Sequence, residues 1–314
     1  MPITVRILVA LALSLALTSA TPQLAAPCDD DDCGNASAGL ATHPPNDAIQ
    51  AAFTKRSYAA GARATLGLRG VAPNVTVQLF RAGSGDDGPL QGAAMSRRRR
   101  IVRPGGSIPI AIGNWPSGFY YARVDTPGRG TWNAPFVLRP TRLGAHRVAI
   151  VLPTNTWQAY NYEDGGSWYF DASIHRIDLG RPYLDAGVPP HYEGYDRGFI
   201  RWLVVHHARA DYLSDDDLDA TARARQLARY DLIVFSGHEE YVTQHEFDLV
   251  ERYRNLGGNL AFLSSNNFFY SVTKHGDEMD GRTRWRDIGR PEASYQAMSV
   301  EPSSPTGRPE GKVR

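Results

Sequence analysis

Apolar residues recur at two different periods along this chain, and the change falls near residue 146. Upstream, Leu66 and Leu68, then Val75, Val77 and Leu79, alternate with polar neighbours at a period near two, the mark of half-buried strands. The pattern predicts short strands at Arg63 to Leu68, Val75 to Phe80, Ser107 to Ile112, Gly118 to Val124 and Pro135 to Leu138. Turn residues separate them: Gly61, Gly70, Pro73, Gly83, Gly88 and Gly105-Gly106. Short strands at that spacing predict a small antiparallel β-sandwich of immunoglobulin-like type over residues 51–142.

Downstream, Val148 to Leu152, Asp231 to Phe235 and Asn259 to Leu263 are largely continuous apolar runs, as in strands covered on both faces. Phe199 to His207 has a helical stripe of Phe199, Leu203 and His207. Ala210 to Leu213 reads as a short strand and Asp215 to Ala228 as a helix. Thr243 and Glu246 form a capping box. The helix they open buries Phe247, Val250 and either Tyr253 or Leu256, and a left-handed cap at Gly257 stops it. Strand, helix, strand with short links predicts a parallel α/β domain over residues 143–300. Residues 153–194 read as a long loop rich in Tyr, Trp, Gly, Asp and Pro, and such loops are usually functional. The lead at 27–50 and the tail at 301–314 are polar and aperiodic, a disordered pattern.

Three polar clusters each follow one of the apolar runs. Thr154-Asn155-Thr156-Trp157-Gln158-Ala159-Tyr160-Asn161-Tyr162 follows the first, His238-Glu239-Glu240-Tyr241 the second and Ser264-Ser265-Asn266-Asn267-Phe268-Phe269-Tyr270 the third. Ligands of open α/β sheets bind outside the carboxyl ends of the strands, where these clusters would converge. The chain has no G-x-S-x-G elbow, no phosphate-binding G-x-x-x-x-G-K-[ST] loop and no H-E-x-x-H pair. Histidine, not cysteine, occupies the turn at 238, which excludes a glutamine-amidotransferase thiol mechanism. What remains is a hard set of phenol, carboxylate, imidazole and amide donors, suited to iron more than to soft metals. Each cluster also has a plain structural reading. His-Glu-Glu can cap a helix, Asn266-Asn267 can make a turn, and the Tyr and Trp residues can form a core or a sugar platform. Convergence is what favours function.

Composition removes further classes. A formal net charge of +1 implies no nucleic-acid partner, and Arg97 to Arg100 reads as a solvated turn. Arg6, the apolar run Ile7 to Leu17 and small residues up to Ala26 read as a cleavable signal peptide over 1–26, so export is expected, with no other membrane segment. Cys28 and Cys33, the only cysteines, flank Asp29 to Asp32. They could close a disulfide loop around an acidic calcium site, but a solvated N-terminus is the simpler reading.

Together the motifs resemble the N,N-dimethylformamidase large (beta) subunit and the family sharing its C-terminal domain. Thr154 to Asn161, Gly237-His238-Glu239-Glu240-Tyr241, Gly257-Gly258-Asn259-Leu260 through Ser265-Asn266-Asn267, and Trp115-Pro116-Ser117-Gly118-Phe119-Tyr120 carry the resemblance. It covers about residues 50–300 and implies an immunoglobulin-like sandwich followed by a class I glutamine-amidotransferase-like, flavodoxin-like parallel α/β domain. It also implies an amidohydrolase with one ferric iron, Fe(III), per chain. On the resemblance Tyr160 and Glu240 match two metal ligands and Tyr120 the third, with Tyr162 as the fallback for Tyr160. His238 and Asn266 match the catalytic polar positions beside the metal, and Glu239 has no assigned role. The substrate would be a small amide or other small molecule. The family domain runs on beyond the point where this tail begins, so a truncated, inactive relative is one alternative. A secreted carbohydrate-binding module, stacking sugar on Trp157, Tyr160, Trp168 and Tyr169, is the other.

Overall fold

The computed structural model describes residues 49–290 except 87, 164–165 and 170–172. The signal-peptide segment, Cys28, Cys33 and the 301–314 tail lie outside the described residues. The architecture is mixed α/β, dominated by sheets, with few and short helices. No described helix is long and apolar enough to cross a membrane.

The first half is all β. Its strands are β1 (Gln50–Phe53), β2 (Ser57–Ala59), β3 (Arg63–Arg69), β4 (Asn74–Arg81), β5 (Ala93–Ala94), β6 (Arg99–Val102), β7 (Ser107–Ala111), β8 (Gly118–Thr126) and β9 (Gly130–Arg139). A three-stranded sheet, β1-β3-β7, and a six-stranded sheet, β2-β9-β8-β4-β5 with β6 on β4, enclose one core. The period-two pattern is its cause: Leu66, Leu68, Val75, Val77 and Leu79 all point inward. Every described pairing here is antiparallel except β2 with β9.

The second half is β10 (Val148–Leu152), α1 (Thr154–Tyr160), β11 (Arg176–Asp178), α2 (Tyr192–Tyr195), α3 (Arg197–Val205), β12 (Asp211–Ser214), α4 (Asp215–Asp219), α5 (Ala224–Leu227), β13 (Leu232–Phe235), β14 (Tyr241–Thr243), α6 (Gln244–Asn255), β15 (Asn259–Phe262), β16 (Tyr270–His275) and β17 (Glu278–Arg284). β12-β10-β13-β15 form a four-stranded sheet in which every pair is parallel. Alternation splits its residues between two cores. Ala149, Val151, Ile233 and Phe235 meet α4 to α6, while Ile150, Leu152 and Val234 meet α3 and the outer face of the β-sandwich. A second four-stranded sheet, β11-β17-β16-β14, is mixed.

The capping box is formed: Thr243 Oγ1 accepts from Glu246 N, and Glu246 Oε2 from Thr243 N at 2.6 Å. Of the two alternatives for the buried face, Tyr253 is buried and Leu256 exposed, and Gly257 turns the chain at φ 92°. Three expectations change. The helix expected over Phe199 to His207 runs over Arg197–Val205 and buries Ile200 and Leu203, leaving His207 exposed in a left-handed turn at φ 53°. The helix predicted over Asp215 to Ala228 breaks into α4 and α5, because Thr221 Oγ1 bonds back to the Asp217 carbonyl and Arg223 is extended. The loop predicted from 153 opens instead as α1, although its residues are mostly polar. All seven are buried, and their partners come from far along the chain.

Candidate functional site

α1 starts at the carboxyl end of β10, after Pro153, which supplies no side-chain cap. Asp215, at the end of β12, takes that role: Asp215 Oδ2 accepts from Thr154 Oγ1 and from Asn155 N, each at 2.6 Å. Asn155 Nδ2 donates to the Tyr241 carbonyl. Thr156 Oγ1 accepts from Glu240 N at 2.9 Å. Trp157 Nε1 donates to Asp196 Oδ2 at 3.1 Å, and Gln158 Nε2 to the Arg181 carbonyl at 2.9 Å. Asn161 Nδ2 reaches the Pro182 carbonyl, and its Oδ1 accepts from Leu184 N. Each polar side chain of the first cluster therefore fixes α1 to another segment, satisfying groups that burial would otherwise penalise.

This framework delivers Tyr160 to the turn after β13. The Tyr160 hydroxyl donates to Glu240 Oε2, with both residues almost fully buried. Burial first, then the charge of Glu240, pushes the phenol well above its ordinary pKa. Around the pair stand Tyr169 and His191, with ring centroids 4.8 and 5.4 Å from that of Tyr160. Tyr195 continues the wall, 5.3 Å from His191 and 4.3 Å from His238. His238 Nδ1 pairs with Ser264 Oγ at 2.7 Å, and burial lowers the imidazole to about 4. The imidazole is therefore neutral at neutral pH.

Beneath this layer lie buried carboxyls. Asp196 accepts from Ser236 Oγ at 2.9 Å as well as from Trp157, and burial raises it to about 7. It lies so close to the turn that a Cβ on Gly237 would come within 2.6 Å of its Oδ1, so a glycine is required there. Glu239 is 1% exposed, and burial, then the nearby Asp215, pushes its carboxyl well above the usual range. Glu239, which had no role on sequence grounds, thus has a place in the layer under Glu240.

The structure brings together Tyr160, Glu240 and His238, but not Tyr120. The Tyr120 ring points into the sandwich core, stacked on Trp115 at 5.6 Å and Phe136 at 5.9 Å, and its hydroxyl donates to the Pro116 carbonyl at 2.8 Å. Burial pushes it up to about 12. Strand alternation is the reason: Phe119 and Tyr121 take the face toward α1, with Phe119 5.4 Å from Trp157. Tyr162, the fallback, lies past the end of α1 and is partly buried. Asn266 stands in a left-handed turn, φ 57°. Its neighbour Asn267 makes the link to the Glu239-Glu240 segment, accepting from Glu239 N at 3.1 Å. Sequence reading missed His191, Tyr195, Asp196 and Asp215. The first three sit in the aromatic 153–194 region or directly after it, whose length was the available signal; Asp215 looked like an ordinary first-turn acid.

Residues 107–313 match the family described as N,N-dimethylformamidase beta subunit-like, C-terminal. That span holds the whole site. The chain belongs to this family. No curated protein matches it. Among solved structures, a superoxide reductase (neelaredoxin) of Ignicoccus hospitalis is 11% identical, with 30% of this chain and 80% of that one covered at a TM-score of 0.19. A cycloisomaltooligosaccharide glucanotransferase of Paenibacillus sp. is 17% identical over 37% of this chain and 18% of that one, TM-score 0.21. A putative superoxide reductase of Thermotoga maritima is 8% identical over 31% and 89%, TM-score 0.21. Likenesses this weak carry no functional argument, so the family match and the site's own chemistry must.

Proposed function

We propose that this member of the dimethylformamidase-like family is an exported amidohydrolase that cleaves a C–N amide bond in a small molecule. The observation that carries the reading is the buried Tyr160–Glu240 pair beside a neutral His238, inside the span that the family match covers. Two of the three donors implied by the family's iron fit this place. A cation bound here would displace the phenol proton to solvent and leave two hard oxygens, phenolate and carboxylate, side by side. Tyr120 does not fit the third position, and among the described residues no three His, Cys, Asp or Glu side chains are set to hold a metal. Tyr160 and Glu240 would hold the ion. When bound, it supplies a Lewis acid for a carbonyl and a lowered pKa for a water.

The chain's own residues would do the rest. His238 would take a proton from the attacking water at Nε2 in the tautomer in which Nδ1 donates to Ser264 Oγ. Tyr195 and His191 would line the approach to the pair, and Thr156, accepting from Glu240 N, keeps Glu240 in place. Asn266 would sit at the rim as an amide donor. In this reading residues 51–142 are an immunoglobulin-like module and 143–300 a glutamine-amidotransferase-like, flavodoxin-like domain. The parallel order β12-β10-β13-β15 supports the second assignment. A sugar platform is disfavoured, since Trp157, Tyr160 and Trp168 are buried and only Tyr169 of the four offers a face.

The test is metal content by plasma mass spectrometry on the purified protein and its Glu240→Ala variant, with amine release measured on a panel of small amides. About one iron per chain, lost in the variant together with amine release, is the expected result. A well-folded protein without metal or amidase activity would remove the proposal.

A further inference from the structure

A second polar pocket lies away from Tyr160 and Glu240, where the sandwich meets the other side of α1. Phe53 on β1, Lys55 and Arg56 after it, Gln158 on α1, and Arg181 and Tyr183 after β11 line it. Its volume is about 20 Å³, room for one water-sized body. The lining contains three cationic side chains and no carboxylate.

One donor at this pocket is left without an acceptor. Arg56 gives Nη2 to Asp216 Oδ1 at 2.6 Å and Nη1 to the Leu179 carbonyl at 3.2 Å. Its Nε–H is buried and finds no acceptor in the protein. A buried N–H left in that state is costly, and more so on a charged group. Burial raises the Tyr183 phenol despite the two nearby guanidinium charges, so its hydroxyl remains protonated. Gln158 already gives Nε2 to the Arg181 carbonyl. An anion here could accept from the Arg56 Nε–H and the Tyr183 hydroxyl together, beside two guanidinium charges.

We propose that this pocket is a binding site for a single halide-sized anion, chloride being the natural occupant. Its position gives the site a consequence. Arg181 grips the end of α1 through the carbonyls of Gln158, Asn161 and Glu163, at 2.8, 2.8 and 2.6 Å. Arg56 belongs to the sandwich. An anion between the two guanidinium groups ties the sandwich to the helix end that carries Tyr160.

The experiment is thermal unfolding of the full chain as chloride replaces gluconate at constant ionic strength, with bromide, sulfate and acetate as parallel arms. The midpoint should rise and saturate with chloride and bromide, and not with sulfate or acetate. Binding should also broaden the ³⁵Cl resonance of the wild-type sample. Arg56→Gln should abolish both responses. If that variant does not fold, Tyr183→Phe should weaken half-saturation by chloride roughly tenfold, the worth of one hydrogen bond to a charge. An unchanged wild-type midpoint, a response shared by sulfate or acetate, or a folded Arg56→Gln that still responds to chloride would each overturn the site.

Discussion

The hydroxyl of Tyr160 donates to the carboxylate of Glu240 across 80 residues of sequence. Neither residue reaches the other by local structure. α1 is anchored by Asp215 and Asp196, and the Glu240 segment by Thr156 and Asn267, so the pair is imposed by the frame around it.

Replacing Tyr160 should separate function from folding. Tyr160→Phe keeps the ring contacts and loses only the hydroxyl, so on the proposed function metal content and amidase activity should fall at least a hundredfold while the fold survives. Tyr120→Phe should cost about 1 kcal/mol for its bond to Pro116 and leave metal content unchanged. Equal metal loss in both variants would mean that Tyr120 does reach the site in solution.

Gly237→Ala tests the turn. Its new Cβ meets the Asp196 carboxylate, which cannot swing away because Trp157 and Ser236 hold both oxygens. We expect a loss of about 1–3 kcal/mol in urea unfolding, as for other overpacked sites, and a larger loss of activity because His238 is the next residue.

Asp196 makes stability depend on pH. Its folded pKa, about 7, lies above the unfolded value of about 3.9, so the neutral form favours the fold. That contribution is complete below about pH 4 and is lost as pH rises to about 7, at up to roughly 1.4 kcal/mol per unit. Asp196→Asn cannot ionise, so its unfolding free energy relative to wild type should improve between pH 4 and 7 and stay level above. A flat difference across that window would show that Asp196 is ionised throughout.

Asp215 and Thr243 both cap helices from buried positions, but Asp215 is a carboxylate that accepts from two donors of α1. Asp215→Ala strands the Thr154 hydroxyl and the Asn155 N–H in a dry interior, at about 2–4 kcal/mol. Thr243→Ala removes the acceptor for Glu246 N and the donor to Asp219 Oδ1, and should cost about 2 kcal/mol. Chemical denaturation of the two variants should preserve that order.

Much of the frame was legible because local rules decide it. Val75, Val77 and Leu79 alternate, Thr243 and Glu246 cap, and Gly257 stops α6, each within a few residues. The site was legible only in part. Tyr160, His238 and Glu240 stand just past apolar runs, where a parallel sheet must present them. Tyr120 and Tyr121 plainly face opposite ways, yet nothing local says which face looks at α1. Thr154 to Tyr160 resembled a loop because its polar residues suit a helix only once Asp215 and Asp196 supply partners 61 and 39 residues away.

The pairing of β11 with β17 sets Ile177 against Met279, and Met279 packs in one cluster with Tyr160, Trp168 and Tyr241. The cluster that backs Tyr160 therefore waits for a strand made about a hundred residues later. Closing so long a loop is slow, because its entropy is lost before the contact repays it. During synthesis the parallel sheet can form first, leaving Tyr160 exposed to solvent until β17 arrives. Completion of the candidate site should thus lag behind compactness in refolding, and the β16–β17 hairpin should be the first part of it to open under stress.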